Sequence, residues 1–334
     1  MALSLLIAGP CAAESRTQVA ETAREIASLM GSDVVYRAGV WKPRTNPHTF
    51  QGAGAEALLW LQAVKEETGM AVATEAATPE HIEQALSAGI DYIWLGARTT
   101  ANPILVQQLA DVVSCHPQRE RLRGVLVKNP VNEDVQLWLG DIARIARTGV
   151  PVMAIHRGCG HRPCWAMAHT FREARPDIPL LLDPSHLGGS AEKIMPLMRY
   201  AHDLAFDGAM IETHIAPWNA LSDAGQQITP QQLKRVTAAY PLPYVPDVET
   251  ELRWLRAEID ETDDRLWDCI ASRMEVSRRI GDWKKAHGMP ALQQGRFDEI
   301  VRKRVEWAEA HHLSAEMVEN IFREIHRSSL KCQE

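Results

Sequence analysis

Eight short apolar runs recur along the first two-thirds of the chain, and nearly every one leads into a turn carrying a thiol, a cation, an imidazole or a carboxylate. They are Leu5–Ile7, Val34–Tyr36, Ala71–Ala73, Tyr92–Leu95, Val125–Val127, Val152–Ile155, Leu180–Leu182 and Ala209–Ile211. Stretches of helical period separate them, so the pattern reads as strand and helix repeated eight times. Such a repeat closes into a parallel (β/α)8 TIM barrel, an α/β fold in which the carboxyl ends of all strands meet at one mouth. Polar groups far apart in sequence then share one site.

Composition narrows the classes. A chain of 334 residues with 46% hydrophobic content and a net charge of −7 is an ordinary globular protein, too long for a single compact domain unless that domain is a barrel. The acidic balance argues against nucleic acid as a partner, because a phosphate backbone needs a net basic face. Six cysteines without a regular framework suit reduced thiols and a cytoplasmic location. The N-terminal residues imitate a signal peptide but lack a basic start and a long apolar run, so a buried first strand is expected. No stretch is long and apolar enough to span a bilayer, and no membrane partner is expected.

Three prolines within Tyr240-Pro-Leu-Pro-Tyr-Val-Pro-Asp247 stop the alternation. This divides the chain into a barrel over residues 1–240, a connector over 241–247 and an all-helical domain over 248–334. In the last, Val248–His287, Gln293–Ala310 and Ala315–Gln333 each read as a helix, with Ser314 as the N-cap of the third. The apolar stripe Leu252, Leu255, Ile259, Leu266, Ile270 and Ile280 needs more partner surface than two short helices offer, so a homodimer through this domain is expected.

At the barrel mouth Cys11, His186, Glu212 and Asp223 fall on strands one, seven and eight and the final loop, which are neighbours once the barrel closes. A thiolate, an imidazole and two carboxylates suit one divalent transition metal, Mn, Fe, Co or Zn. Cys159 and Cys164 with His156 and His161 fit no common zinc spacing and carry little weight. Lys42, Arg44, Arg98, Lys128 and Arg157 are five cations facing the same mouth, which repel one another unless anions lie between them. Pro43 and Pro47 stiffen the loop of Arg44 and Thr45 before a ligand arrives.

Gly9-Pro-Cys-Ala-Ala-Glu14, Lys42-Pro-Arg-Thr45, Gly96-Ala-Arg-Thr-Thr100, Asp183-Pro-Ser-His186, Asp207-Gly-Ala-Met-Ile-Glu212 and Leu221-Ser-Asp223 together resemble the type I-beta 3-deoxy-D-arabino-heptulosonate 7-phosphate (DAHP) synthases, over nearly all of residues 1–240. The resemblance implies condensation of phosphoenolpyruvate with erythrose 4-phosphate, the entry step of aromatic biosynthesis. It makes Cys11, His186, Glu212 and Asp223 metal ligands, puts Lys42, Arg98, Lys128 and Arg157 on phosphoenolpyruvate and Arg44 and Thr45 on the tetrose phosphate, and offers Glu75 to orient the attacking water. The octulosonate 8-phosphate synthases are the nearest alternative, but their turn differs from Lys42-Pro-Arg-Thr45.

In the tail, Arg273 and Lys284 are eleven residues apart, which at ~100° and ~1.5 Å per residue puts them on one face of the long helix. Arg256 points elsewhere and suits a partner chain's pocket. Gln293 with Arg296, and Ser329 with Gln333, form pairs on the later helices. The order Arg256, Arg273, Lys284, Gln293, Arg296, Ser329, Gln333 resembles the all-helical chorismate mutases over residues 248–334. That resemblance implies rearrangement of chorismate to prephenate in a pocket that folds the dicarboxylate, with Lys284 and Gln333 at the breaking ether. Since strand one begins within the first few residues, feedback on the barrel is expected from chorismate or prephenate at the tail. The alternative is a tail that only senses ligand and dimerises.

Overall fold

The computed structural model describes residues 5–42, 48–160, 162–292 and 294–332. It divides into two compact units, residues 1–258 and 259–334. In the first, β1 (Leu5–Gly9), β2 (Val35–Arg37), β3 (Val72–Glu75), β4 (Tyr92–Leu95), β5 (Gly124–Lys128), β6 (Val152–His156), β7 (Leu180–Leu182) and β8 (Gly208–Glu212) pair in sequence order, all parallel. Pairing of Leu5 with Gly208 through Gly9 with Glu212 closes the barrel. The helices between and after the strands are α1 (Arg16–Met30), α2 (Glu56–Thr68), α3 (Pro79–Ser87), α4 (Pro103–Cys115), α5 (Val135–Ala146), α6 (Trp165–Ala174), α7 (Pro184–Gly188), α8 (Ile194–Asp203) and α9 (Pro230–Ala239). Several begin with an oxygen-bearing cap followed by proline, Thr78-Pro79, Asn102-Pro103, Asp183-Pro184 and Thr229-Pro230 among them, which satisfies orphan amides and fixes where each helix starts.

Alternation along the strands sorts the core into two layers. Leu5, Ile7, Val35, Ala71, Ala73, Tyr92, Trp94, Leu126, Met153, Ile155, Leu181 and Met210 fill the barrel interior. The alternate residues, such as Tyr36, Ile93, Val127, Ala154 and Ile211, pack outward against the helices. Continuing the inward parity of period two by one step from each strand gives Gly9, Arg37, Glu75, Gly96, Lys128, Arg157, Asp183 and Glu212. The mouth is therefore the next layer of the barrel interior, built from charge and glycine in place of hydrocarbon.

Six of the strands run one or two residues beyond their apolar runs, β1 ending on Gly9 and the other five on Arg37, Glu75, Lys128, His156 and Glu212. Polar side chains end the hydrophobic signal while the backbone ladder continues. α10 (Thr250–Ala286) begins within the first unit, where Trp254 is buried between Trp165 and Phe206 and stacks on His169. His169 also lies within hydrogen-bonding distance of Glu251 and Glu258. The second unit consists of the rest of α10, α11 (Gln294–Ala310) and α12 (Ala315–Lys331), with Ser314 capping α12 through the Met317 amide. Among the described residues, no helix is long and apolar enough to cross a membrane.

Candidate active site

The mouth layer encloses a cavity of about 180 Å³, room for a compact phosphorylated molecule, lined by Arg37, Lys42, Glu75, Arg98, Lys128, Arg157, His186 and Asp223. Parity directs the strand-end members inward, and the loops supply the others. Gly96 leaves space that Glu75 fills: a Cβ on Gly96 would stand 2.1 Å from Glu75 Oε1. Charges alternate around the rim. Lys128 Nζ is 2.6 Å from Asp183 Oδ2, Arg37 is 3.2 Å from Glu212 Oε1, and Lys42 Nζ is 3.8 Å from Glu75 Oε2. All six of these residues are buried.

Burial opposes ionisation of Asp183, but the charges of His186 and Lys128 outweigh it and hold the carboxyl well below the usual carboxylate range. Glu212 is likewise lowered against burial, by His186, Arg37 and Lys42. For Lys42, burial is outweighed by Cys11, Glu75 and Glu212, which raise the ammonium above its ordinary value; for Lys128, burial prevails and lowers it. The cavity is thus lined by fixed, mostly paired charges.

Cys11, Glu212 and Asp223 converge so that one ligand atom from each lies within 4.8 Å of the others. Cys11 Sγ is 3.0 Å from Asp223 Oδ2. His186 adjoins the group, with Nε2 3.7 Å from Glu212 Oε1 and Nδ1 2.9 Å from Asp183 Oδ2. Asp223 holds a left-handed backbone, φ 49°, an unusual conformation that aims its carboxylate at the thiol. Burial first, then Glu212, pushes the Cys11 thiol up to about 12. The buried Glu212 carboxylate and the half-buried Asp223 carboxylate beside a thiol resist being charged together, and a divalent cation removes that conflict. The donor set fits a borderline transition metal, with Asp183 behind the imidazole as the carboxylate that orients it.

Besides Asp183, which lies within a motif but was given no role of its own, two contributors went unmarked in the sequence. Arg37 lies against the face of Trp94, and its Nε and one terminal nitrogen are buried without a partner among the described residues. Alternation from Val35 would have marked it, but the apolar run stopped at Tyr36. Gln226 donates to Glu212 Oε2 at 2.7 Å, a loop contact with no sequence signal. Arg44 and Thr45, with Pro43, Pro47 and His161, lie outside the described residues. His156 faces outward, 2.6 Å from the Pro163 carbonyl, and burial lowers its pKa to about 4, which suits a neutral structural ring.

In the second unit an N–H of Arg273 donates to the Ser329 hydroxyl, and Lys284 donates to the Ala291 carbonyl. Arg296 is exposed and ion-paired with Glu299 at 2.7 Å, and Arg256 is an exposed residue of the first unit. Gln293 and Gln333 lie outside the described residues. The single chain therefore gathers Arg273, Ser329 and Lys284 in one unit, and leaves Arg256 and Arg296 on exposed surface.

The DAHP synthetase I family model matches residues 3–240, and the chorismate mutase type II model matches residues 255–334. Phospho-2-dehydro-3-deoxyheptonate aldolase of Thermotoga maritima is 30% identical over 239 residues, 67% of this chain and 64% of that protein, so the chain spans just under two-thirds of this relative's length. The crystal structure of DAHP synthase from Thermotoga maritima superposes with a TM-score of 0.62 at 28% identity, covering 71% of this chain and 68% of that one. For the tail, 4-amino-4-deoxychorismate mutase of Streptomyces venezuelae is 32% identical over 74 residues, 22% of this chain and 72% of that protein. The barrel, its charged mouth and the extent of these matches agree: the chain belongs to the DAHP synthetase I family and carries a chorismate mutase type II region that follows the barrel in sequence.

Proposed function

We propose that the chain is a bifunctional enzyme of aromatic biosynthesis, condensing phosphoenolpyruvate with erythrose 4-phosphate and converting chorismate to prephenate. The observation that carries the first activity is the meeting of Cys11, Glu212 and Asp223 beside a cavity of buried cations. Arg37, with two buried nitrogens that have no partner among the described residues, together with Lys128, Arg98 and Arg157, neutralises the carboxylate and phosphate of phosphoenolpyruvate. Lys42 stands at the same wall, and Arg44 and Thr45 are assigned to the tetrose phosphate. One divalent ion, Mn, Fe, Co or Zn, held by Cys11, His186, Glu212 and Asp223, would act as a Lewis acid on the aldehyde oxygen. The enol carbon bonds to the aldehyde carbon, water adds at the second carbon of phosphoenolpyruvate, and phosphate departs by C–O cleavage. Glu75, buried beside Lys42, orients that water. Lys128, fixed by Asp183, keeps the carboxylate in register.

The tail reading assigns Arg273, Lys284, Ser329, Gln293, Arg296 and Gln333 to the mutase pocket, completed by Arg256 of a second copy. Exposure of Leu252, Leu255, Ile259, Leu266 and Ile280 supports a homodimer through the long helix. We assign residues 1–240 to the synthase, 241–247 to the connector and 248–334 to the mutase, with prephenate or chorismate at the tail feeding back on the barrel. Six free thiols favour a cytoplasmic setting. Incubating the purified chain with phosphoenolpyruvate and either erythrose 4-phosphate or arabinose 5-phosphate tests the substrate choice, and chorismate loss tests the tail. Turnover of the tetrose and of chorismate, with the first slowed by prephenate, is expected. Preference for the pentose would overturn the synthase reading, and prephenate binding without chorismate turnover would leave the tail a sensor.

A further inference from the structure

His326 is a polar residue of the tail that none of the roles above employs. It sits on α12 three residues before Ser329, so the two project from the same face about one turn apart. Ser329 receives the Arg273 guanidinium, which puts His326 beside the cationic group assigned to the dicarboxylate. Its ring stacks on Phe297 of α11, with centroids 4.1 Å apart and planes 26° from parallel. Its Nε2 is buried and, among the described residues, has no hydrogen-bond partner. A dry, unpaired ring nitrogen destabilises the free protein, and a bound ligand that pairs with it removes that cost.

The chemistry of the missing partner follows from the charges around the ring. Burial, then Arg273 and Lys284, lowers the His326 pKa, so the imidazole is neutral at neutral pH. Carboxylates are matched to the two cations themselves. A neutral imidazole is matched to a neutral hydrogen-bonding group, and chorismate carries one, its ring hydroxyl. A protonated amine at the same ring position would instead approach the Arg273 and Lys284 charges that act on the ring, a like-charge arrangement that disfavours binding.

We propose that His326 is a specificity-determining residue of the tail site, its Nε2 hydrogen-bonding the ring hydroxyl of the bound dicarboxylate and selecting hydroxyl over amine at that position. The proposal rests on the mutase reading of the tail and adds a residue and a discrimination to it.

The test uses the full chain and two substrates, chorismate and 4-amino-4-deoxychorismate. Wild type is expected to favour chorismate in kcat/KM by at least about tenfold. His326→Leu should lose about tenfold on chorismate and little on the amino compound, the yield of one neutral hydrogen bond. His326→Gln, whose amide can reach the place of Nε2, should regain most of that loss. Equal losses on both substrates without rescue by Gln would mean that the ring only packs on Phe297, and unchanged discrimination in His326→Leu would overturn the proposal as well. Should wild type bind prephenate without turning over chorismate, the same ratios are read from the Kd values of chorismate and 4-amino-4-deoxychorismate in the three proteins. Wild type that neither binds nor converts these compounds would sink the mutase reading, and this proposal with it.

Discussion

Gly96 occupies a strand-end position at which every other inward strand-end residue except Gly9 bears a charged side chain, and the gap it leaves is taken by Glu75. Gly96→Ala drives a methyl group into Glu75 Oε1 and displaces a carboxylate assigned to the attacking water. Displacement of about 1 Å is enough to cost about a hundredfold in turnover, so condensation kinetics should fall by that order while the thermal midpoint moves little. Cys11 makes a second prediction. Its thiol, pushed up to about 12, is protonated throughout the neutral range, whereas a metal ligand must be thiolate. Each ion bound therefore displaces a proton, and apparent metal affinity should rise with pH between about 6 and 8. Calorimetry in buffers of different ionisation enthalpy reads that proton directly, and pH-independent affinity without proton release would remove Cys11 from the ligand set. Lys42, Arg98, Lys128 and Arg157 were legible as cations following apolar runs. Arg37 and Asp183 were not given roles, because a charge at the end of a short run looks like the end of the strand, and only the inward parity of the closed barrel separates the two.

At the scale of elements, the alternation of strand and helix was readable because each strand is buried on both faces and each helix on one. Strand ends were not, since the ladder continues into polar residues that the site requires. The beginning of α10 shows a similar limit. Its apolar stripe reads as a dimer surface and the whole helix as part of the tail domain, yet Trp254 is 1% exposed within the first unit, held among Trp165, His169 and Phe206. Nothing in the helical period distinguishes an aromatic that packs on the barrel from one that awaits another chain. Trp254→Ala should cost the first unit about 3–5 kcal/mol, the usual loss for deleting a large buried aromatic. Urea unfolding followed by far-ultraviolet dichroism measures it, and a midpoint equal to wild type would show that the aromatic cluster contributes no packing.

On the scale of the whole molecule, α10 leaves Leu266, Trp267, Ile280 and Trp283 exposed, more apolar surface along one helix than a single chain covers. Leu266→Glu combined with Ile280→Glu should give monomers by light scattering and abolish chorismate turnover, because Arg256 of the second copy would be withdrawn, while condensation at the barrel continues. Dimers of unchanged mass would place the interface elsewhere. The barrel mouth, where buried cations and a thiol–imidazole–carboxylate set are gathered, is assigned the joining of two phosphorylated reactants. The most direct measurement of that role is the rate of DAHP formation from phosphoenolpyruvate and erythrose 4-phosphate by chelator-stripped protein as Mn²⁺ is added back. No product without the ion and a rate that saturates at one ion per chain are expected; full activity in the presence of chelator, or no product at any ion concentration, would rule that assignment out.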